Sequence, residues 1–328
     1  MGSPLYAELL RAAARDAESD GPVATLFALP EIASLSLPGI RLMAAMHYCA
    51  LDGTSPSLAA HLPSTGGDGN AEGAWAAARE LFEKEPARAI ALLRRTPQTN
   101  EVARALPLWA GLLELSALMH LPMRVFEIGS SAGLNLRLDR FRYVGLRWAW
   151  GDPASRVVLN NRTLSGRPRH LDAPLSLTER RGCDVRPLDP HDRDDCLELL
   201  SFVWADQTDR VTRLRAAIEL ARENPADVDS ADAVTWIRDR VHPLGGSVCV
   251  LMHSVTMEHM SKEARAALET TIVACAQRSK RTAPFAWLRM EYGGTAYETR
   301  LATYPGGRDE MLATSDGHAQ GLRWFNRR

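Results

Sequence analysis

Apolar side chains recur at helical spacing through the first third of the chain and then give way to short apolar runs. The spacing predicts helices at Leu5–Ala17, around Ile40–Leu51, and at Trp75–Glu83, Pro86–Arg95 and Asn100–Leu121. Pro86 sits at a helix start, where its fixed φ and missing N–H are tolerated. No strand pattern interrupts residues 4–120. The stretch Asp52–Gly73, rich in Gly, Ser, Pro and Asp, reads as a long exposed loop joining two helical groups.

From Arg124 the pattern changes. Candidate strands at Arg124–Ile128, Leu175–Arg180, Asp227–Asp229, Val248–Met252 and Phe285–Met290 alternate with helices at Asp192–Trp204, Thr208–Glu223 and Ser261–Arg278. That alternation predicts βαβ units and a largely parallel sheet. Leu268, Ile272 and Cys275 share one helix face, as a core-packed helix requires. Tyr143–Arg169 reads as an irregular insertion. Ala296–Tyr304 and Gly321–Phe325, separated by Pro305-Gly306-Gly307, read as a closing antiparallel pair. The acidic run Asp189–Asp195 reads as a solvated helix start.

Composition narrows the function classes. A chain of 328 residues exceeds what one core usually organises, so one large or two packed domains are expected. No segment reaches the uninterrupted apolar length of a membrane span, and no membrane partner is expected. The net charge of −1, with acids and bases interspersed, lacks the basic footprint of a nucleic-acid binder and favours a small-molecule or peptide-like substrate. Cys49, Cys183, Cys196, Cys249 and Cys275 are scattered singly, which argues against a disulfide framework or a zinc knuckle. His191, Cys196 and His259 form no spaced ligand pairs, so no metal is expected. The N-terminus has no apolar signal core, and a cytoplasmic location is the expectation. The tryptophans at 148, 150, 204, 236, 287 and 324 read as core or interface residues.

The candidate chemistry centres on Val125-Phe126-Glu127-Ile128-Gly129-Ser130-Ser131-Ala132-Gly133-Leu134-Asn135-Leu136, a buried strand, a Gly/Ser turn and a helix start with Leu134, Leu138 and Phe141 on one face. Gly129 lets the backbone bend towards a ligand, Ser131 is placed to cap, and Gly133 permits close helix-to-strand packing. Glu127 at the strand end would repel a pyrophosphate and suits a cationic group.

This segment resembles the first motif of class I S-adenosylmethionine-dependent methyltransferases, an acidic residue followed by three alternating glycines. Ser131 replaces the middle glycine. The resemblance implies an α/β fold with a Rossmann-like methyltransferase sheet, residues 123–328, beneath an all-helical N-terminal lid, residues 1–122, with the active site in the cleft between. It implies S-adenosylmethionine as cofactor, held by Glu127, Gly129, Ser131, Gly133 and Asn135. It places a ribose-binding acid at Asp184, with Asp152 competing by spacing alone, and an adenine-contacting acid at Asp232, beside Ala233. Over nearly its full length the chain also resembles the bacterial family called domain of unknown function 2332, through Gln98-Thr99-Asn100-Glu101, the Glu127–Leu136 segment, Asp139-Arg140-Phe141-Arg142-Tyr143, Arg181-Gly182-Cys183-Asp184 with Pro187-Leu188-Asp189, and His253-Ser254.

Three further residue groups have two readings each. Gln98 and Asn100 with Glu101 either line the active site, as substrate-binding residues and a catalytic carboxylate, or simply start a helix. His253, after a strand at its carboxyl end, is either a general base or a core-edge histidine. Gly129-x-Ser131-x-Gly133 also matches a nucleophile elbow, which would make Ser131 a hydrolase nucleophile with His318 as its base, although the helical residues 1–123 lack the strands that fold needs upstream. The functional expectation is a methyl transfer to a small or peptide-like acceptor; another use of the same cofactor, as an alkyltransferase or cyclase, and non-catalytic binding are the alternatives.

Overall fold

The computed structural model describes residues 2–161 and 166–325. The chain forms two compact units. One comprises Met1–Thr99 with Asp189–Arg215, the other Asn100–Leu188 with Ala216–Arg328.

The first unit is helical. Helices Pro4–Glu18, Pro22–Phe27, Pro30–Ala33, Pro38–Leu51, Pro56–Ala59 and Pro86–Leu93 all open on a proline at the first helical position, where no N–H is missed. Ser3 completes the first of these starts, its Oγ accepting from the Tyr6 N–H at 3.0 Å. Leu9, Met43, Met46, Phe82 and Leu93 make the core, joined by Leu197 from Arg193–Ser201, which packs on Pro38–Leu51. Burying each such side chain stabilises the unit by roughly 1.5–3 kcal/mol. The acidic run does start that helix, with Asp192 Oδ1 accepting from the Asp195 N–H at 3.0 Å. Asp52–Gly73, expected as an exposed loop, is tied down instead. It contains Pro56–Ala59 and a 3₁₀ turn at Pro63–Thr65, and Leu58 and Leu62 are buried.

The second unit is mixed α/β. Its strands are β1 (Met123–Ile128), β2 (Arg142–Gly145), β3 (Ala149–Trp150), β4 (Val158–Asn161), β5 (Leu177–Asp184), β6 (Asp227–Ser230), β7 (Val248–Ser254), β8 (Phe285–Tyr292), β9 (Tyr297–Tyr304), β10 (Arg308–Ser315) and β11 (Arg323–Trp324). Eight of them form one sheet in the order β11-β10-β9-β8-β7-β1-β5-β6. From β6 to β8 every neighbouring pair is parallel, and β9, β10 and β11 close the far edge antiparallel. The closing pair expected from the sequence is therefore corrected. Beyond Pro305-Gly306-Gly307, β9 pairs with β10, and the Gly321–Phe325 region supplies only the short β11 beside β10.

Phe126, Leu251 and Phe285 from the sheet pack with Trp236, Ile237, Leu268 and Ile272. The helix Ala105–Met119 is buried almost throughout, and a Cβ at Gly111 would come within 2.4 Å of Leu288 Cδ1. Val102–Met119 is long and apolar enough to cross a membrane by composition, with 83% of that stretch buried inside the protein. The insertion after the glycine turn, expected to be irregular, forms a three-stranded sheet β3-β2-β4. Its Tyr143 stacks on Trp109 at 4.1 Å between ring centroids.

Candidate functional site

The parallel part of the sheet runs outward from β1 through β5 to β6, then returns to β7 and β8 on the other side of β1. The direction of winding reverses between β1 and β7, and in open α/β sheets the crevice outside the carboxyl ends of the strands at such a reversal is where ligands bind. The turns after β1 and β7 meet there. Gly129 has a left-handed φ of +62°, and a Cβ on it would lie 2.7 Å from both Thr256 Cγ2 and Thr256 Oγ1. Gly133, at φ +64°, would bring a Cβ within 2.8 Å of Val228 Cγ2 on β6. Ser131 adopts φ +54° without being glycine, and its N–H donates to Asp184 Oδ2 at 2.9 Å. Three alternate residues in left-handed conformation explain the Gly-x-Ser-x-Gly spacing. The helix expected after this turn is a 3₁₀ helix, Leu134–Arg140, and Leu134, Leu138 and Phe141 are buried as their spacing required.

Glu127, at the carboxyl end of β1, is 2% exposed, and its Oε2 has no hydrogen-bond partner among the described residues. Burial pushes its carboxyl pKa up to about 8; the Arg137 guanidinium opposes the rise and the Asp184 carboxylate adds to it. Arg137 is itself buried, which lowers its pKa to about 10. It donates to the backbone carbonyls of Gly133 at 2.6 Å and Asn224 at 2.8 Å.

The Asn100–Glu101 segment reaches the same turn. Asn100 Oδ1 accepts from the Leu134 N–H at 3.1 Å, and Asn135 Nδ2 donates to the Glu101 carbonyl at 3.3 Å. Glu101 Oε1 caps the 3₁₀ turn Val102–Arg104 by accepting from the Ala103 N–H, while its Oε2 lies 3.4 Å from His318 Nδ1. Glu101 thus caps a helix start, as one reading expected, and the segment also lies against the glycine turn. Asn135 is 2% exposed with no partner for Oδ1 among the described residues. Gln98, half-buried, belongs to the helical unit.

His253 is fully buried at the end of β7. Its Nδ1 lies 2.7 Å from Glu291 Oε1, and its Nε2 accepts from the Trp287 indole N–H at 2.9 Å. With Nδ1–H donating to a carboxylate and the Nε2 lone pair occupied, the ring has no site for a substrate proton in this conformation, and the general-base reading is corrected to a positioning one. Glu291 Oε1 also accepts from the N–H groups of Thr256 at 2.8 Å and Met257 at 3.2 Å. Burial alone would raise the Glu291 pKa, but His253 and these two N–H groups outweigh it and hold the carboxyl below its ordinary range. Trp287, His253 and Glu291 so fix the turn that carries Thr256 against Gly129. Val255 in that turn has φ +55°, a strained conformation for a β-branched residue.

The remaining expected residues divide. Asp184 ends β5 beside the glycine turn and accepts from the N–H groups of Ser131 and, at 3.0 Å, Arg186. Asp232 is exposed and caps the helix Ala233–Arg240, accepting from the Thr235 N–H at 3.0 Å; Ala233 is buried. Asp152 lies in the insertion, its Oδ1 accepting from the Ala154 N–H at 2.8 Å. Arg137 and Glu291 were missed, although signals existed. Arg137 directly follows the Val125–Leu136 segment, four residues beyond Gly133, and Glu291 follows a candidate strand at its carboxyl end, the same placement that singled out His253.

The family model described as an uncharacterized protein conserved in bacteria, DUF2332, matches residues 1–324. The chain belongs to this family. No curated protein and no solved structure matches it. Asn100 and Asp184 both bond to the turn that follows β1, Asn135 in that turn bonds to Glu101, and His253 ends the neighbouring strand β7.

Proposed function

We propose that this DUF2332 protein is an S-adenosylmethionine-dependent transferase with a methyltransferase-like sheet, acting on a small or peptide-like acceptor. The observation that carries the reading is Glu127: a buried carboxyl with an unpartnered Oε2 at the end of the central strand, beside a turn where glycine is sterically required. An unpaired buried carboxyl is costly, and the ammonium of a ligand's amino-acid portion would supply the missing donor and charge. The missing side chains of Gly129 and Gly133 let Thr256 and Val228 pack directly against the turn, and Asp184 fixes it through the Ser131 N–H. The cofactor, when bound, supplies an electrophilic methyl on a sulfonium. Transfer to an acceptor then needs chiefly in-line positioning, which the fixed turns at Gly129–Gly133 and Val255–Met257 favour.

The serine-hydrolase reading would use Ser131 with His318, and the latter does face a carboxylate, Glu101. Against it stands the chain order of the sheet. A nucleophile elbow follows several earlier strands, whereas among the described residues no strand precedes β1. Calorimetry of the full chain with S-adenosylmethionine tests the proposal. Saturable binding that Glu127→Ala abolishes supports it, and the absence of binding, or phosphonylation of Ser131 by a fluorophosphonate probe with loss of fluoride, overturns it. Product analysis for S-adenosylhomocysteine against methylthioadenosine then separates methyl transfer from other uses of the cofactor.

A further inference from the structure

A second group of side chains lies on the same edge, built on Arg104. Its Nε donates to the Gly317 carbonyl at 2.8 Å, which aims the guanidinium, and its Nη atoms have no hydrogen-bond partner among the described residues. Gly317 also lies against Tyr297: a Cβ there would sit 3.3 Å from the phenol oxygen. That phenol donates to Glu258 Oε2 at 2.8 Å. The next residue, His318, faces Glu101 Oε2. The loop at Gly317–His318, held by Asp316 Oδ1 accepting from the His318 and Gln320 N–H groups, therefore brings Arg104, Tyr297, Glu258 and Glu101 to one place.

The charges there do not cancel. Arg104 feels Glu101, Glu258 and Glu291, yet each of these is engaged elsewhere: Glu101 with the Ala103 N–H, Glu258 with Tyr297, and Glu291 with His253 and two backbone N–H groups. Burial lowers the Arg104 pKa, as expected of a partly enclosed guanidinium whose neighbours do not pair with it. Asn135 supplies an independent pointer. Its amide is fixed by the Glu101 carbonyl, it is 98% buried, and its Oδ1 still seeks a donor.

We propose that Arg104, Tyr297, Glu258 and Glu101 form the acceptor subsite of the transferase, and that the acceptor is zwitterionic, an amino acid or short peptide. Its carboxylate meets the two open Nη groups of Arg104 in a fork, and its amine faces Glu258 and Glu101. A ligand bearing only a carboxylate would meet three surrounding carboxylates. One bearing only an amine would meet Arg104. A zwitterion satisfies both signs. Because Glu258 and His318 are exposed while Arg104 is half-buried, the subsite has an open mouth.

This inference rests on the transferase reading, and the two are tested separately. The full chain, saturated with S-adenosylhomocysteine, is titrated with the twenty free L-amino acids and a Gly-X dipeptide series, with saturation-transfer NMR and calorimetry as readouts. At least one member should bind, its methyl ester and its N-acetyl form should each bind tenfold or more weakly, and Arg104→Met should remove binding while its affinity for S-adenosylmethionine stays within twofold. If no member binds, or the blocked forms bind as well as the free one, the subsite is refuted. Loss of S-adenosylmethionine affinity in Arg104→Met would instead assign Arg104 to the cofactor. Failure of the unmutated chain to bind S-adenosylmethionine removes the transferase reading, whereas the amino-acid titration, repeated without cofactor, still decides the subsite. Should Arg104→Met not fold, Tyr297→Phe reads the same place: it frees Glu258, leaves the guanidinium anchored, and should change the preference between a free ligand and its N-acetyl form.

Discussion

Glu127→Gln separates a carboxyl left unpaired for a ligand from one silently compensated. The folded-state pKa is raised from 4.5 to about 8. Below about pH 4.5 the group is protonated in both states and has no effect. Between about 4.5 and 8 the unfolded chain ionises while the folded one keeps its proton, so stability falls as the pH rises; above about 8 the loss is complete. At 1.36 kcal/mol per pKa unit, the folded protein should lose about 2 kcal/mol between pH 6 and pH 8 from this residue alone. Glutamine has nearly the same shape and does not titrate, so Glu127→Gln should lack that increment. Urea unfolding of both proteins at pH 6 and pH 8 measures the difference of differences, in which any common effect of a neutral amide at this place cancels. Parallel pH dependences would refute the reasoning, because they would mean that Arg137 or an unseen donor already neutralises the carboxylate.

Three other outcomes follow from the same geometry. Asp232→Ala should cost about 1 kcal/mol in urea unfolding through loss of the cap to the Thr235 N–H, while Asp232→Ser keeps the cap; if Asp232 also contacts adenine, both variants weaken S-adenosylmethionine binding in calorimetry, and if it only caps, neither does. Glu291, whose carboxyl is held below its ordinary range, contributes stability that is present above its unfolded-state pKa and lost as the pH falls through the folded value, so Glu291→Gln should lower the melting temperature at pH 7 and flatten the acid limb of the stability profile. Gly133→Ala combines a left-handed φ with a Cβ 2.8 Å from Val228 Cγ2, and should destabilise by about 2–4 kcal/mol by urea unfolding.

β1, β7 and β8 were legible because they are short apolar runs bounded by turns, and Val248–Ser254 is buried along nearly its whole length; β5, Leu177–Asp184, is largely polar, and its expected run Leu175–Arg180 stopped four residues short. β10 was not, since Arg308-Asp309-Glu310 reads as a polar turn; its pairing comes from the hairpin with β9 and not from its own apolar content. The two glycines of the turn were legible, because left-handed backbone leaves a mark in composition; Ser131, expected to cap the helix, instead adopts φ +54°, and Gly133 stands at the N-cap without a side-chain cap. What escaped was partnership. Glu127 was visible as an acid at a strand end, but that its neighbour Arg137 donates to backbone carbonyls depends on contacts to Gly133 and to Asn224, far along the chain. His253 shows the same limit: its position suggested a base, and only Trp287 and Glu291, both distant in sequence, show that its ring nitrogens are occupied.

Glu127 and Arg104 share a feature that bears on whether the edge holds one ligand or two. Each is an ionisable group withheld from neighbours of opposite sign that lie close enough to shift its pKa. Arg137 is committed to carbonyls on one side, and Glu101, Glu258 and Glu291 are committed to N–H, O–H and imidazole donors on the other. A fold selected for stability alone would pair such groups or replace them with apolar side chains. Two unsatisfied groups of opposite sign, one on β1 and one before the helix Ala105–Met119, are accounted for if each meets its own ligand. The energies of two separate sites should add. In a double-mutant cycle, Glu127→Gln should weaken S-adenosylmethionine by the same factor with or without Arg104→Met, to within about 0.5 kcal/mol. A coupling energy above about 1 kcal/mol would instead mean that both groups hold one zwitterionic ligand, with the amine on Glu127 and the carboxylate on Arg104.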